Sequence, residues 1–491
     1  MSNRFLEFYN DELTALRSRA AEFAKAYPKI AGRLRLARDT TDDPHVERLV
    51  QAFSFSAARI RQKLDDSFPE LSDSLLETLY PHYLAPVPAM SVVGLTPGKG
   101  LDGVQVIPRG TEITSEPVED DICRFRTTQD VALAPLRIAS AEAMGRPLSA
   151  PALPGTSAAG ALRITLAPSG KAKLSEIGLT RLRFYLRAPA PQAAGLYELI
   201  HNCTTRVALA RHSNDATPRL LPRAALQPVG FARDEAILPY PKNAFPSYRI
   251  LTEFFTLPQK YHFSEVETGP LKGEERLDLY LYFNRAPTKA EAAAVPTALT
   301  LFATPIVNLF PARAEPILLD ATRTEYPVIA NARRPGTQKV HSVTAVNLTH
   351  SDGSKRIAKP FFESQSRPEE ETLHWQLHRP AARSGGEYET RLAFVDHIKR
   401  PKARDNVVAG VEILAFNGDL PAKLPFGGDA PQLNIAPYAD LVSRVSCLEA
   451  LTPTQWQTDA DERNWRLLSH LTLNHLSITR GGADAMQGIL R

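Results

Sequence analysis

The residues that come nearest to a catalytic or metal site lie close to the end of the chain. The stretch WRLLSHLTLNHLSI, from Trp465 to Ile478, carries a serine, two histidines and an asparagine inside an apolar run: Ser469, His470, Asn474 and His475. The spacing of the two histidines matches no metal motif, and no acidic neighbour could orient an imidazole. Polar side chains in such runs commonly bond main-chain groups at turns. The stretch therefore indicates packed scaffold.

Other candidate sites are weaker still. His374 and His378 are four residues apart, but Pro380 and the polar flank argue against a helix that would align them on one face. The GTSAAG segment lacks the GxSxG spacing of a nucleophile elbow, and Asp396–His397 has no nucleophile nearby. The prediction is therefore a protein without catalytic residues, cofactor or metal. The alternative is a cytoplasmic hydrolase that uses a Ser/His site in the C-terminal third.

Composition narrows the class of protein. The 491 residues carry a formal net charge of +4, with both signs interspersed, so no basic stripe indicates nucleic-acid binding. The three cysteines, Cys123, Cys203 and Cys447, are far apart and predict neither a disulfide framework nor a zinc site. No uncharged apolar run reaches the length of about 18 residues that a membrane helix needs. A cytoplasmic protein without direct membrane insertion is expected.

The first 85 or so residues have helical periodicity. Apolar residues separated by alternating steps of three and four are Leu6, Tyr9, Leu13, Leu16, Ala20, Phe23 and Tyr27. After a stop at Pro28, a second helix is predicted from Asp42–Pro44, with the stripe Val46, Leu49, Val50, Phe53, Ala57, Ile60 and Leu64. A third segment runs from Pro69 to Leu79. These stripes favour packing against another domain or chain, and a self-contained three-helix bundle is the alternative.

The remainder has β character. Short runs such as SVVGL, LRITLA and RLRFYL lie between Gly and Pro residues, and ERLDLYLYFN and ALTLFA alternate like strands. Residues 138–161 are rich in Ala, Pro and Gly and predict an exposed loop. The predicted fold class is α+β and multidomain. It comprises an N-terminal helical segment over 1–90, a β-rich middle region over 91–335 and a mixed α/β region over 336–491.

Several segments resemble one known family. The quoted segments are FYNDELTALRSRAAEFAKAYPKIAGRL, DPHVERLVQAFSFSAARIRQKLDDSFPELSDSLLETLYPHYLAPVPAM, SYRILTEFFTLPQKYHF, TPIVNLFPARAEPILLDATRTEYPV, AFNGDLP and the stretch that begins at Trp465. Together they are similar to the type VI secretion baseplate subunit family TssF, also called ImpG or VasA. The matches are collinear and span nearly the whole chain.

The resemblance implies a structural protein without catalysis, similar to wedge proteins of contractile phage tails. It implies two copies assembling with one TssG into a wedge around the central hub, VgrG, with TssK and TssE as further neighbours. It also implies a location in the cytoplasm, docked at the inner membrane through the secretion complex. Family members usually carry a further C-terminal domain, which this sequence is expected to lack.

Periodicity and resemblance together predict where assembly occurs. The apolar stripes of the first two helices are expected to join a bundle with a partner. The residues predicted at this interface are Leu6, Tyr9, Leu13, Leu16, Phe23, Tyr27, Leu49, Phe53 and Ile60.

Overall fold

The chain forms two compact units. The computed structural model describes residues 3–33, 43–65, 81–153, 157–170, 172–240, 246–273, 275–320, 323–361, 373–379, 389–396, 407–428 and 430–456. The N-terminal helices belong to the first unit, and the second unit spans Leu79–Thr458. The boundary predicted at residue 335 falls inside this second unit. The predicted segment over 69–79, the stretch from Trp465 to Ile478 and His397 lie outside the described residues.

The secondary structure is α-helical at the start and dominated by strands afterwards. The helices are α1 (Asn3–Ala26), α2 (Pro28–Arg33), α3 (Pro44–Asp65), α4 (Pro81–Leu84), α5 (Ala190–Asn202), α6 (Pro246–Thr256) and α7 (Lys289–Ala298). The strands are β1 (Met90–Pro97), β2 (Gln105–Ile107), β3 (Glu112–Val118), β4 (Asp121–Thr127), β5 (Val131–Leu133), β6 (Leu136–Gly145), β7 (Gly160–Pro168), β8 (Arg181–Leu186), β9 (Thr204–Ala210), β10 (Arg219–Leu221), β11 (Leu226–Val229), β12 (Phe263–Glu267), β13 (Leu277–Phe283), β14 (Leu299–Leu301), β15 (Ala303–Val307), β16 (Phe310–Arg313), β17 (Ile317–Leu319), β18 (Glu325–Pro327), β19 (Lys339–Thr349), β20 (Lys355–Pro360), β21 (Leu373–His378), β22 (Arg391–Asp396), β23 (Val407–Phe416), β24 (Leu433–Asn434) and β25 (Val442–Cys447). The α+β class predicted from the sequence is confirmed.

Helix α1 ends and helix α3 begins close to where the sequence predicts. Helix α1 ends at Ala26, two residues before Pro28, because a proline disfavours helical backbone in the residue that precedes it. Helix α3 begins at Pro44. Proline has no backbone N–H, and at the start of a helix that N–H would have no partner within the helix. The Asp43 carboxylate accepts a 2.9 Å hydrogen bond from the His45 backbone N–H and so satisfies a donor of the first turn.

Helices α1 and α3 pack side by side in opposite directions. Arg17 pairs with Glu47 at 2.5 Å, and Arg61 pairs with Glu12 at 2.9 Å. The helices are antiparallel, because Glu12 of α1 pairs with Arg61 near the end of α3, whereas Arg17, farther along α1, pairs with Glu47 near the start of α3. Ser54 and Ala58 of α3 are fully buried, so small side chains lie where α3 is most enclosed.

The second unit contains a closed six-stranded barrel and three sheets of five, four and eight strands. The barrel has the strand order β1-β15-β4-β3-β24-β25, and the five-stranded sheet has the order β10-β9-β13-β7-β6. A four-stranded sheet has the order β11-β12-β8-β14, and an eight-stranded sheet contains β16-β23-β19-β20-β21-β22-β18 with β17 beside β23. Strands β2 and β5 form a separate pair. The main core combines the barrel with the five- and four-stranded sheets, and the eight-stranded sheet has a core of its own.

Strand β13 is buried on both of its faces. Leu279, Leu281 and Phe283 belong to the main core, and Tyr280 and Tyr282 lie in a smaller apolar cluster on the opposite face. The alternation predicted for ERLDLYLYFN is therefore confirmed, with both sides of the strand enclosed.

The loop predicted over 138–161 is wrong for its first third. Strand β6 continues to Gly145 and pairs with β7, since its small residues fit an outer strand. Leu148, Ala150 and Leu153 of the following segment pack against the cluster that contains Tyr280 and Tyr282. The Tyr282 hydroxyl donates to the Pro151 carbonyl at 2.8 Å. The composition of this segment predicted that it would be exposed. Instead, it covers the tyrosine-bearing face of strand β13.

The ALTLFA run also departs from the simple alternation that was predicted. Strand β14 ends at Leu301 in the four-stranded sheet, and β15 begins at Ala303 in the barrel. Between them Phe302 has a φ of 56°, a left-handed conformation that is rare for a bulky residue. The change of sheet requires this turn, so the strand is interrupted.

A pair of buried asparagines joins the barrel to the eight-stranded sheet. Asn308 follows β15 and Asn417 follows β23, and both are fully buried. The Asn417 backbone N–H donates to Asn308 Oδ1 at 2.7 Å, and Asn308 Nδ2 donates to Asn417 Oδ1 at 2.8 Å. We call this arrangement the asparagine clasp.

The clasp also bonds the main chain of its neighbours. Arg124 of β4 donates its backbone N–H to Asn417 Oδ1 at 3.0 Å and accepts from Asn308 Nδ2 at 2.8 Å. Asn417 Nδ2 donates to the carbonyls of Ile122 at 3.3 Å and Thr337 at 3.2 Å. Two of the segments that carry the family resemblance, TPIVNLFP and AFNGDLP, therefore meet at one structural joint.

Replacing Asn417 with alanine is expected to destabilise the second unit by about 1–3 kcal/mol, because buried main-chain groups lose their partners. Urea unfolding of the full chain measures this loss. The matched control is Asn347→Ala, since half-buried Asn347 makes only a 3.4 Å bond to Glu412. Equal effects of the two substitutions would contradict the role assigned to the clasp.

Candidate assembly interface

The structure places most of the predicted interface residues at the surface of α1 and α3. Six of the nine are exposed, namely Leu6, Phe23, Tyr27, Leu49, Phe53 and Ile60. The other three, Tyr9, Leu13 and Leu16, are half-buried. The exposed fraction is 70% for Leu49 and 64% for both Phe53 and Ile60, which is high for large apolar side chains.

The exposure of α3 follows from which side of the helix meets α1. Ser54 and Ala58 are buried, whereas Leu49, Phe53 and Ile60 lie on another side, since a helix turns about 100° per residue. The outer residues Leu49, Phe53, Ser56 and Ile60 have the 4-3-4 spacing of a coiled-coil seam. We call these four residues the outer seam. Contiguous exposed apolar surface of this kind is typical of a protein–protein contact.

A second exposed apolar surface lies on the β-rich unit and was missed by the sequence reasoning. It consists of Phe231, Phe254 and Phe255, which are all about half exposed. The Phe254 and Phe255 rings meet edge to face at 5.5 Å, and Tyr261 lies 4.9 Å from Phe231 and 5.9 Å from Phe254. The signal was present in the adjacent phenylalanines of α6, because consecutive helical residues cannot both face one core.

Buried charges hold this aromatic surface in place. Glu253 and Lys260 form a fully buried ion pair, and Glu253 also accepts from the backbone N–H groups of Ile237 at 2.8 Å and Leu238 at 3.2 Å. Burial lowers the pKa of Lys260, and Glu253 opposes that shift. Buried Arg249 donates to the carbonyls of Phe231 and Ala232 at 3.1 and 3.0 Å. These contacts hold residues 231–238 against α6, and their role is structural.

Two Ser–His contacts bear on the hydrolase alternative. In the C-terminal third, His341 Nδ1 lies 3.2 Å from the hydroxyl of the adjacent Ser342. Burial, together with Arg379 and Arg126, lowers the pKa of His341 to about 3, so the imidazole is a weak base. In the middle region, His201 Nε2 lies 2.8 Å from Ser264 Oγ.

The His201–Ser264 pair does not form a catalytic site either. Burial and the nearby Arg223 lower the pKa of His201 to about 4. Ser264 itself is buried, and the space beside it is lined by apolar side chains such as Ile164 and Leu279. A general base needs a pKa near the working pH and access to a substrate, and the pair offers neither.

Metal and membrane features were also sought in the described ranges. No group of three or more His, Cys, Asp or Glu side chains within those ranges is arranged to hold a metal ion. None of the helices described there is long and apolar enough to cross a bilayer. His374 and His378, considered above as a metal pair, lie on strand β21, and His378 Nδ1 is 3.0 Å from Glu325.

The described helical unit exposes large apolar side chains, which is typical of structural proteins that act through contacts with other chains. The full sequence, residues 1–491, matches the family described as Type VI secretion system, TssF. The chain belongs to that family.

Several known proteins are similar to this chain over most of their own length. Type VI secretion system component TssF1 of Pseudomonas aeruginosa is 34% identical over 522 aligned residues, which cover 100% of this chain and 83% of that protein. A chain in the structure of the TssK-TssF-TssG baseplate subcomplex is similar with a TM-score of 0.69 and 28% identity, covering 91% of this chain and 81% of that one. A chain of the baseplate complex from the type VI secretion system has a TM-score of 0.55 and 26% identity, covering 95% of this chain and 80% of that one.

Two histidines with lowered pKa values predict how stability depends on pH. The pKa values of His201 and His341 are lowered from 6.5 to about 4 and about 3, so both stay neutral in the folded chain. As the pH falls from 6.5 towards 4, the unfolded chain binds protons that the folded chain does not, and stability decreases. Urea midpoints measured between pH 7.5 and about 4.5 should show this loss.

Replacing the two histidines tests whether they cause this pH dependence. The double change His201→Gln with His341→Gln should flatten the pH dependence over that interval, whatever it does to stability at neutral pH. His212→Gln, at an exposed position, serves as the control and should leave the slope unchanged. An unaltered slope in the double variant would show that these two side chains are not the source.

Proposed function

We propose that the chain is a structural component of the type VI secretion baseplate, where it assembles with TssG into a wedge around the hub that initiates the contractile sheath. The observation that carries the proposal is the exposed apolar surface of α1 and α3. Membership of the TssF family and similarity to chains from two baseplate structures support it.

The partners follow from these relatives and from the resemblance described above. TssG and TssK are proposed because the similar chain comes from a subcomplex that is named for them together with TssF. A second copy of this chain, TssE and the hub protein VgrG are proposed on the family resemblance. The proposed location is the cytoplasm, with the assembled baseplate docked at the inner membrane through the secretion complex.

The proposed interface is the helical surface rather than the β-rich unit. Burying a Leu or Phe side chain contributes roughly 1.5–3 kcal/mol. The exposed members of the predicted set, among them Leu49, Phe53 and Ile60, can therefore supply substantial binding energy to a partner helix. The described Ser–His pairs do not favour a hydrolase, so the proposed role is assembly rather than catalysis.

The double change Leu49→Asp with Phe53→Asp is expected to abolish co-purification with TssG, because each carboxylate would be buried without a partner in the bundle. Both side chains already face solvent in the free chain, so folding should be preserved. Co-expression followed by affinity purification measures the yield of the complex, and circular dichroism checks the helical content.

A matched double change on the β-rich unit controls for the added charge. Val106 and Leu220 are exposed to a similar degree and lie far along the chain from the helices. Val106→Asp with Leu220→Asp should leave the yield of complex unchanged. Normal complex formation by the α3 variant would overturn the proposed interface.

A further inference from the structure

The charges around the outer seam of α3 are unequally distributed. His45, Arg48 and Arg59 are exposed and lie along one flank of Leu49, Phe53, Ser56 and Ile60, given a turn of about 100° per residue. Neither Arg48 nor Arg59 makes an ion pair with any described residue. The seam therefore has a basic row on one side.

The two carboxylates that form ion pairs within the helix pair face the contact between α1 and α3. Glu47, in the first turn of α3, faces α1, where Arg17 pairs with it at 2.5 Å and Gln51 donates to it at 3.2 Å. Glu12 of α1 is likewise paired with Arg61 at 2.9 Å. These carboxylates are thus engaged within the α1–α3 pair and do not balance Arg48 and Arg59.

The other flank of the seam is apolar and small. Val46, Val50 and Ala57 are half-buried on the side opposite the basic row. A partner helix lying along the seam would therefore meet cations on one edge and aliphatic side chains on the other. In helical pairs, charged residues at such flanking positions set which partner is accepted and in which orientation.

A second α3 is a poor match for this surface. In an antiparallel pair the same flank of both helices comes together, so two copies would set basic rows against each other. In a parallel pair each basic row would lie along the aliphatic flank of the other copy, where no carboxylate balances it. Like charges brought together in this way suppress a wrong partner. Complementarity instead requires a helix with an apolar heptad and a row of carboxylates beside it.

From this charge pattern we propose that the outer seam takes an acidic amphipathic helix from a different protein of the assembly, and not α3 of a second copy of this chain. The inference deepens the proposed function, because it specifies the chemistry of the partner helix at the same surface. A second copy would then meet the chain elsewhere.

Charge reversal tests the proposal with TssG as the probe. Full-length chain carrying Arg48→Glu and Arg59→Glu should bind co-expressed TssG at least about tenfold more weakly at low salt. Raising the salt from about 0.05 to 0.5 M should weaken the wild-type complex, because screening reduces charge attraction at a solvent-accessible rim. The variant should lose that salt dependence.

Two further variants make the result interpretable. Lys99→Glu with Lys355→Glu reverses two exposed cations of the β-rich unit and should bind TssG as the wild type does. Arg48→Gln with Arg59→Gln removes the charges without adding new ones and should show an intermediate loss, so a folding defect in the Glu variant does not decide the outcome.

The possible failures are distinguishable. If the wild-type chain binds TssG and both Arg48/Arg59 variants bind it equally well at all salt concentrations, the acidic-helix inference is wrong and the proposed function stands. If the wild-type chain binds no TssG at all, the proposed function itself is wrong. Stronger self-association of the wild type than of the variants through this surface would also overturn the inference.

Discussion

The asparagine clasp is the interaction on which the β-rich unit depends. Asn308 and Asn417 lie where the chain leaves the barrel and where it leaves the eight-stranded sheet. Their side chains bond each other and the main chain of Ile122, Arg124 and Thr337. A buried amide that lost these partners would be costly. The two asparagines therefore fix how the barrel and the eight-stranded sheet meet.

Additional contacts at the same joint strengthen this conclusion. The Arg124 guanidinium lies 4.5 Å from the centre of the Phe310 ring, and Arg334 and Thr337 both bond the buried Asp121 carboxylate. These contacts add to the clasp at the place where the barrel meets the eight-stranded sheet. Pre-formed contacts of this kind suit a structural component, because less conformational freedom is lost when a partner binds.

The helical unit, in contrast, leaves large apolar side chains exposed. Helix α3 has buried small residues towards α1 and large apolar residues on its outer seam, and one neighbouring helix cannot cover both. The unit is thus left with apolar surface in contact with water, which is unfavourable in a free monomer. Contact with another chain removes that surface from water, so the same residues that cost stability in isolation favour assembly.

Sequence reasoning predicted the parts of the fold that depend on local periodicity. The limits of α1 and α3 and the alternation of β13 follow from the spacing of apolar residues and from prolines. The cover over Tyr280 and the interruption at Phe302 could not be predicted, because both depend on strands distant in sequence.

The candidate interface shows the same division. Periodicity identified the apolar residues of α3 but not which of them would face α1, since that depends on the partner helix and its ion pairs. For the same reason, the sequence could not show that Arg48 and Arg59 flank an exposed apolar seam. The phenylalanine surface of α6 was missed because its support, Glu253 with Lys260, is a tertiary contact.

If the chain joins a baseplate wedge, co-expression of the full chain with TssG should yield a stable particle that contains two copies of this chain and one TssG. Native mass spectrometry of the recovered complex measures this composition. Recovery of the chain only as a free monomer, with TssG present and folded, would show that the chain does not form the proposed wedge.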